Sequence, residues 1–139
     1  MKASVSWAGA AKFIGTSGSG HSITMDGPPD HGGENQGARP MEMLLLGLGG
    51  CSSFDVVSIL QKSRQQVSDV RVDIDAERVD AVPAVFSRIH LNFVVQGTNL
   101  KEAQVKRAVN LSAEKYCSAS IMLQQGGVEM THSYEIVAE

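Results

Sequence analysis

Residues 40–52 read PMEMLLLGLGGCS, a proline followed by an apolar run, three glycines and a cysteine. Proline is tolerated at the first helical position, so we expect a helix to begin at Pro40 and to continue to about Gln65. Each glycine costs about 1 kcal/mol in a helix interior relative to alanine. Either another backbone packs closely against this surface, or the helix breaks at the glycine pair and restarts at Cys51, or both. A restart would place the thiol at a helix N-terminus, where free N–H groups favour a thiolate.

Two cysteines are present, Cys51 and Cys117, and the second is followed by Ser118-Ala119-Ser120. A cysteine that performs chemistry needs a stabilised thiolate, access for a small reactant and often a second thiol that resolves an oxidised intermediate. The pair can supply these requirements, which indicates a thiol-dependent peroxidase. The alternative for each cysteine is a buried structural thiol that packs as a small hydrophobe.

Composition and charge narrow the class of protein. The 139 residues are 42% apolar and 19% charged, as expected for one globular domain spanning 1–139. A net charge of −3 offers no basic face, so we expect no nucleic-acid partner. No uninterrupted apolar run approaches the roughly 18 residues of a membrane span, and the N-terminus lacks a signal-peptide core. We therefore expect a cytoplasmic protein without a membrane partner, in which a disulfide is more often catalytic than structural.

Alternation of apolar and polar residues predicts short strands on either side of the first helix. An antiparallel meander comes first, and a long loop from Asp26 to Arg39 then leads into the helix. A hairpin follows the helix, and a last strand ends the chain. The strands are expected at residues 2–7, 12–14, 21–25, 70–75, 88–95 and 128–137.

Two helices are predicted between the hairpin and the last strand. Asn99 with Glu102 resembles a capping box at the start of a helix that ends near Cys117. Ser118 is then expected to cap a shorter helix that continues to Leu123. Because strands and helices occur in blocks, the sequence predicts an α+β fold.

Residues 40–52 and 113–118 resemble two segments of the OsmC/Ohr family, the osmotically induced protein C and organic hydroperoxide resistance proteins. The likeness includes the proline eleven residues before the first cysteine, the small-residue run and the second segment, AEKYCS. It covers nearly the whole chain, although residues 1–38 match loosely. The resemblance implies an OsmC-like fold with antiparallel sheets around long central helices. It also implies an intertwined homodimer, in which small residues let two helices approach closely.

The same resemblance implies reduction of hydroperoxides, organic ones in particular, by an antioxidant enzyme of the oxidative stress response. Cys51 corresponds to the peroxidatic cysteine and Cys117 to the resolving cysteine. Their disulfide would be reduced by an external dithiol of the dihydrolipoyl type or by a small thiol. No cofactor is implied, and the four scattered histidines lack the spacing of a metal site.

The sequence departs from the family where a cation is held over the thiolate. The family's glutamate ten residues before the cysteine is replaced by Met41, and Glu42 lies about 100° further around a helix. The family's arginine is assigned to Arg39, the one arginine before Cys51. Glu42 alternatively stabilises the helix N-terminus, and Arg39 alternatively forms a surface ion pair. One turn past Cys51, an ionised Asp55 would raise the pKa of the thiol.

These departures place the chain nearer a divergent OsmC-like branch and keep a second hypothesis open. In that hypothesis the protein is catalytically silent and acts as a small-ligand-binding or redox-responsive dimer. The ligand is then a small apolar or thiol-reactive molecule in the same cleft, and the residues Met41, Met43 and Leu44–Leu46 form core or, alternatively, line an apolar peroxide pocket.

Overall fold

Six strands and three helices follow one another in the block order that the sequence predicts, which makes the fold α+β. The computed structural model describes residues 1–139, and internal contacts divide them into two units, residues 1–46 and 47–139. The prediction of one domain stays a prediction. The elements are β1 (Ala3–Trp7), β2 (Phe13–Ser17), β3 (Ser22–Met25), α1 (Pro40–Lys62), β4 (Gln66–Arg78), β5 (Phe86–Thr98), α2 (Glu102–Leu111), α3 (Ser118–Gln125) and β6 (Glu129–Ala138).

The first unit contains the predicted antiparallel meander, with β2 between β1 and β3. The long loop after β3 contains a short 3-10 turn, Pro29–His31, and is organised by one carboxylate. Asp26 is buried and accepts backbone N–H groups from Gly27, Glu34 and Gln36 at 2.7, 3.2 and 3.2 Å. These bonds fold the loop back on itself before α1 begins.

The helix α1 runs without interruption through all three glycines, so of the two alternatives the break before Cys51 is wrong. Close packing explains one of the glycines. A Cβ atom on Gly49 would lie 3.0 Å from Ile74 and 3.2 Å from Val72, both on β4. Helix and strand therefore meet at a distance that only glycine permits without displacing these side chains. Cys51 lies inside the helix and has no helix N-terminus to stabilise it.

Much of the apolar surface of α1 is exposed. By length and a mean hydropathy of 1.8 it is the one helix that could cross a membrane, a property that it shares with apolar core helices. Only 28% of its most apolar window is buried within the chain. Leu44, Leu46 and Phe54 are among the exposed side chains.

The second sheet, in the order β4-β5-β6, carries the core of the second unit. The β4–β5 hairpin is antiparallel as predicted, whereas β6 runs parallel to β5. The antiparallel pairing that the resemblance implies therefore holds for β4 and β5, and β6 adds a parallel pair to this sheet. A parallel pair needs a crossover connection, and α2 and α3 provide it. The buried apolar residues of β5, α1 and α2 are Phe86, Ile89, Leu91, Phe93, Val95, Leu48, Val56, Leu60, Val105, Ala108 and Val109.

Both predicted helix caps in this unit differ from the structure. Asn99 has a positive φ of 51°, which turns the chain after β5, and Lys101 precedes α2 without a side-chain cap. The predicted capping box is therefore wrong, because Asn99 serves the turn, a conformation that asparagine tolerates. A π-helical turn, Ser112–Tyr116, follows α2. The cap of α3 is Cys117, one residue before the predicted Ser118.

Candidate active site: a thiol pair

The two cysteines lie close together in the second unit, although 65 residues separate Cys117 from Ser52, the neighbour of Cys51. Cys51 is half-buried in the middle of α1, and Cys117 is fully buried at the start of α3. Both are free thiols. The structure thus places the sulfur of a partly accessible residue next to a second sulfur that is buried away from solvent.

The position of the Cys117 sulfur at the start of α3 follows from a local departure from regular helix. The π-helical turn ends when the Cys117 N–H donates to the Ser112 carbonyl at 2.9 Å. Cys117 itself is extended, with φ −74° and ψ 105°, and its sulfur accepts the backbone N–H of Ser120 at 3.4 Å. An N-cap side chain satisfies an N–H that the helix leaves unpaired, and the positive end of the helix dipole favours negative charge there. Single π turns are frequent at functional sites.

Three buried serines surround this sulfur. The Ser52 Oγ lies 3.0 Å from the Cys117 Sγ, and the Ser112 hydroxyl donates to the Ser52 carbonyl at 2.8 Å. The Ser120 hydroxyl donates to the Ala113 carbonyl at 3.5 Å. All three hydroxyls are thereby partnered, as buried polar groups must be to avoid a desolvation cost.

Opposing effects act on the acidity of Cys117. Burial raises the pKa of this thiol above its ordinary value, and hydrogen bonds from Ser52 and the Ser120 N–H oppose that effect. The neighbouring Cys51 raises the pKa further, because two thiolates repel each other. Burial and the neighbouring Cys51 together therefore favour the protonated form of Cys117.

A cleft of about 630 Å³ is lined by residues that follow Cys51 on α1 and by residues of α2 and the π-helical turn, but by neither cysteine. Aromatic side chains of Phe54 and Tyr116 and the cations Lys62 and Arg107 line it, together with Asp55. Tyr116 directly precedes Cys117 in the chain. The cleft is large enough for a small organic molecule.

Asp55 lies one helical turn after Cys51, as expected for a regular helix. Burial raises the pKa of Asp55, and a hydrogen bond with Ser112 acts in the opposite direction. Its Oδ2 atom is buried without a partner. Burial thus favours the neutral carboxyl, which would not repel a Cys51 thiolate as a carboxylate would.

Arg39 and Glu42 meet at the start of α1. The Glu42 Oε1 accepts the backbone N–H of Arg39 at 2.8 Å, which is a capping contact. The Arg39 guanidinium donates to the Asn35 side chain at 2.8 Å and to the Gly37 carbonyl at 3.2 Å. The guanidinium is therefore held by the loop, and no bond joins it to the Glu42 carboxylate. The catalytic roles of both residues stay predictions.

Sequence reasoning missed the serines as parts of the site. Ser52 and Ser120 flank the two cysteines in the sequence, which was the available signal. Ser112 had no such signal, because its contact with Ser52 depends on the packing of α2 and α1. No group of three or more His, Cys, Asp or Glu side chains is arranged to hold a metal ion.

Comparisons with known proteins agree with the fold and the cysteine segments. The sequence model of the OsmC-like protein family matches residues 33–133. Protein YhfA of Escherichia coli K12 is 51% identical over 138 residues, and the match covers 99% of both chains.

Solved structures give the same result. A structural genomics structure is 50% identical and superposes over 100% of both chains with a TM-score of 0.90. A hypothetical protein from Aquifex aeolicus VF5 is 31% identical, with a TM-score of 0.85 over 99% of this chain and 96% of that chain. An organic hydroperoxide resistance protein, OsmC, from Legionella pneumophila is 16% identical, with a TM-score of 0.71 over 96% and 95%, and shows likeness of fold alone.

Proposed function

The chain belongs to the OsmC-like protein family, and from that premise we propose that it is a thiol-dependent hydroperoxide reductase. Cys51 is the peroxidatic cysteine and Cys117 the resolving cysteine. The observation that carries the proposal is the pairing of a partly exposed Cys51 with a sealed Cys117. A peroxide can approach the first residue, whereas the second is reserved for reaction inside the protein.

The reaction proceeds in three balanced steps. The Cys51 thiolate attacks a peroxide oxygen, the O–O bond breaks, and the alcohol leaves after taking up a proton. The resulting sulfenic acid condenses with the Cys117 thiol, which forms the disulfide and releases water. An external dithiol of the dihydrolipoyl type or a small thiol then reduces the disulfide.

The cleft supports an organic substrate. Its aromatic side chains provide apolar surface, Phe54 three residues after Cys51 and Tyr116 directly before Cys117 in the chain, and its volume of about 630 Å³ exceeds what hydrogen peroxide needs. Arg39 is the candidate for the cation near the Cys51 thiolate from the family resemblance alone, since Cys51 lies about three helical turns further along α1 and the Arg39 guanidinium is bonded to Asn35 and Gly37. The cytoplasmic location stays a prediction.

The working form is a homodimer. Exposed apolar side chains on α1 would otherwise remain in water, among them Leu46 with 61% and Phe54 with 74% of its surface exposed. Gly47 and Gly50 leave open space on the same helix, which lets a second helix approach closely.

Peroxide consumption tests the proposed function directly. Wild-type protein is mixed with cumene hydroperoxide and dihydrolipoamide, and the loss of peroxide is measured over many turnovers. We expect turnover in wild type and none in Cys51→Ser. In Cys117→Ser we expect one equivalent of peroxide to be consumed and a sulfenic acid on Cys51 that dimedone traps.

Ser53→Ala is the matched control, since Ser53 is half-buried two residues after Cys51 on the same helix. It should retain wild-type turnover. Absence of peroxide loss with the wild-type protein would overturn the proposal. The cleft would then favour the second hypothesis, a catalytically silent protein that binds a small ligand or responds to redox state as a dimer.

A further inference from the structure

We propose that Ser52 is a positioning residue for the resolving step, a role that rests on the proposed function. Its hydroxyl fixes the Cys117 sulfur and donates a hydrogen bond to it as negative charge develops during attack on oxidised Cys51. The contact that supports this role is 3.0 Å long and joins two side chains that are both fully buried.

The surroundings of Ser52 favour this orientation. Its hydroxyl reaches the Cys117 sulfur across the space between α1 and α3, and its own carbonyl accepts the Ser112 hydroxyl at 2.8 Å. The Ser120 N–H contacts the same sulfur at 3.4 Å. Two polar groups from different elements, the Ser52 hydroxyl and the Ser120 N–H, therefore converge on one sulfur atom.

Burial of these groups argues against a merely structural role. Of the four buried polar or charged residues in the chain, three are the serines around Cys117. A core gains stability from apolar residues of the same size, because polar groups lose hydration when they are buried. The Ser112 and Ser120 hydroxyls donate to backbone carbonyls, whereas the Ser52 hydroxyl contacts the thiol itself and is suited to a sulfur that becomes charged during reaction.

Helix geometry explains how two consecutive residues, Cys51 and Ser52, have different roles, the first in reacting and the second in holding Cys117. Consecutive residues project about 100° apart around a helix. Cys51 is half-buried with its side chain beside Cys117, whereas Ser52 is fully buried and its hydroxyl contacts the Cys117 sulfur. The same turn of α1 thus carries the reacting sulfur and the group that holds its partner.

During disulfide formation the charges on the two cysteines change in a fixed order. While Cys51 is a thiolate, it disfavours ionisation of Cys117. Oxidation converts Cys51 into a neutral sulfenic acid and removes that repulsion. The Cys117 thiol then loses its proton, its sulfur attacks the Cys51 sulfur, the S–O bond breaks, and hydroxide leaves as water with that proton. Ser52 stabilises the transient negative sulfur in this step.

Single-turnover kinetics with Ser52→Ala tests the proposal. Reduced protein is mixed with one equivalent of cumene hydroperoxide, and samples are quenched with an alkylating agent and weighed by mass spectrometry. We expect peroxide loss to keep its wild-type rate and disulfide formation to slow roughly tenfold or more, since hydrogen bonds to charged groups have effects of this size. Sulfenic acid on Cys51 should accumulate and be trapped by dimedone. The pH at which disulfide formation reaches its maximum rate should also rise.

Ser53→Ala is the control and should leave both rates unchanged. If Ser52→Ala fails to fold, the nearly isosteric pair Ser52→Thr and Ser52→Val replaces it, because only threonine keeps a hydroxyl. Faster disulfide formation in the threonine variant supports the proposal, and equal rates overturn it.

The two proposals fail differently. A wild-type protein that never consumes peroxide overturns the proposed function, and this inference with it. Normal peroxide loss with unchanged disulfide formation in Ser52→Ala overturns the role of Ser52 alone.

Discussion

The Ser52 hydroxyl lies 3.0 Å from the Cys117 sulfur, so the residue that follows one cysteine contacts the other cysteine. This relationship ties the middle of α1 to the start of α3. Any movement of either helix changes the setting of both thiols at once. The stability of this part of the fold and its redox chemistry are therefore expected to depend on the same packing.

Replacing Asp55 with asparagine should stabilise the protein at pH 7. Burial raises the pKa of Asp55 in the folded state, so the folded protein binds this proton more tightly than the unfolded chain does. Wild-type stability must then fall as the pH rises from the unfolded value, 3.8, through the raised folded value. Asparagine does not titrate, and the advantage of the variant should disappear below pH 3.8.

Urea unfolding at a series of pH values and a fixed protein concentration measures this difference. Asp80→Asn, at an exposed position, is the control and should change little. Parallel pH profiles of wild type and Asp55→Asn would contradict the prediction.

Replacing Asp26 with asparagine should have the opposite effect. Burial alone would raise the pKa of Asp26, but N–H groups of Gly27, Gln36 and Glu34, with the Lys12 charge, hold it below the usual 3.8. Its stabilising contribution is present above pH 3.8 and is lost as the pH falls through the lowered folded value. Asp26→Asn should therefore lower the urea midpoint at pH 7, and less so in acid. An unchanged midpoint at pH 7 would show that the three bonds do not hold the loop.

Replacing Gly49 with valine should destabilise the fold by about 1–3 kcal/mol, the usual cost of overpacking. Even the first added carbon would lie 3.0 Å from Ile74 and 3.2 Å from Val72. Ala103→Val, at an exposed position of α2, is the control, because Gly50 lies on the surface proposed to meet a second copy. Chemical denaturation compares the two variants, and an equal loss in both would refute the packing argument.

Replacing Leu46 with glutamate should prevent dimerisation. Leu46 exposes 61% of its surface on an apolar helix, and a charge there cannot be buried against a second copy without a large cost. Light scattering should give twice 14.8 kDa for wild type and 14.8 kDa for the variant. Gln61→Glu adds a charge at an exposed polar position of the same helix and should remain dimeric. A monomeric wild type would exclude the proposed assembly.

Much of the fold was predictable from local patterns. Alternating residues in β4 and β5 predicted the hairpin because a half-buried strand repeats every two residues. Pro40 predicted the start of α1 because its fixed φ suits a first turn. The segments around Cys51 and Cys117 predicted the family, since each motif consists of consecutive residues and needs no tertiary structure to be recognised.

Other features required the folded chain. Whether α1 continues through its glycines depends on Val72 and Ile74, which pack where a side chain at Gly49 would lie. The parallel direction of β6 depends on the path of the crossover.

The sequence by itself determined the succession of strands and helices, the two cysteines and the serines beside them, because these depend on neighbouring residues. Only the tertiary structure decided that Cys117 caps α3, that Cys51 is partly exposed, and that Ser52 contacts Cys117. The physical reason is that hydrogen bonds and burial between distant segments are set by how helices pack on the sheet. Local periodicity says which face of a helix is apolar but does not say which atoms of another segment will meet it.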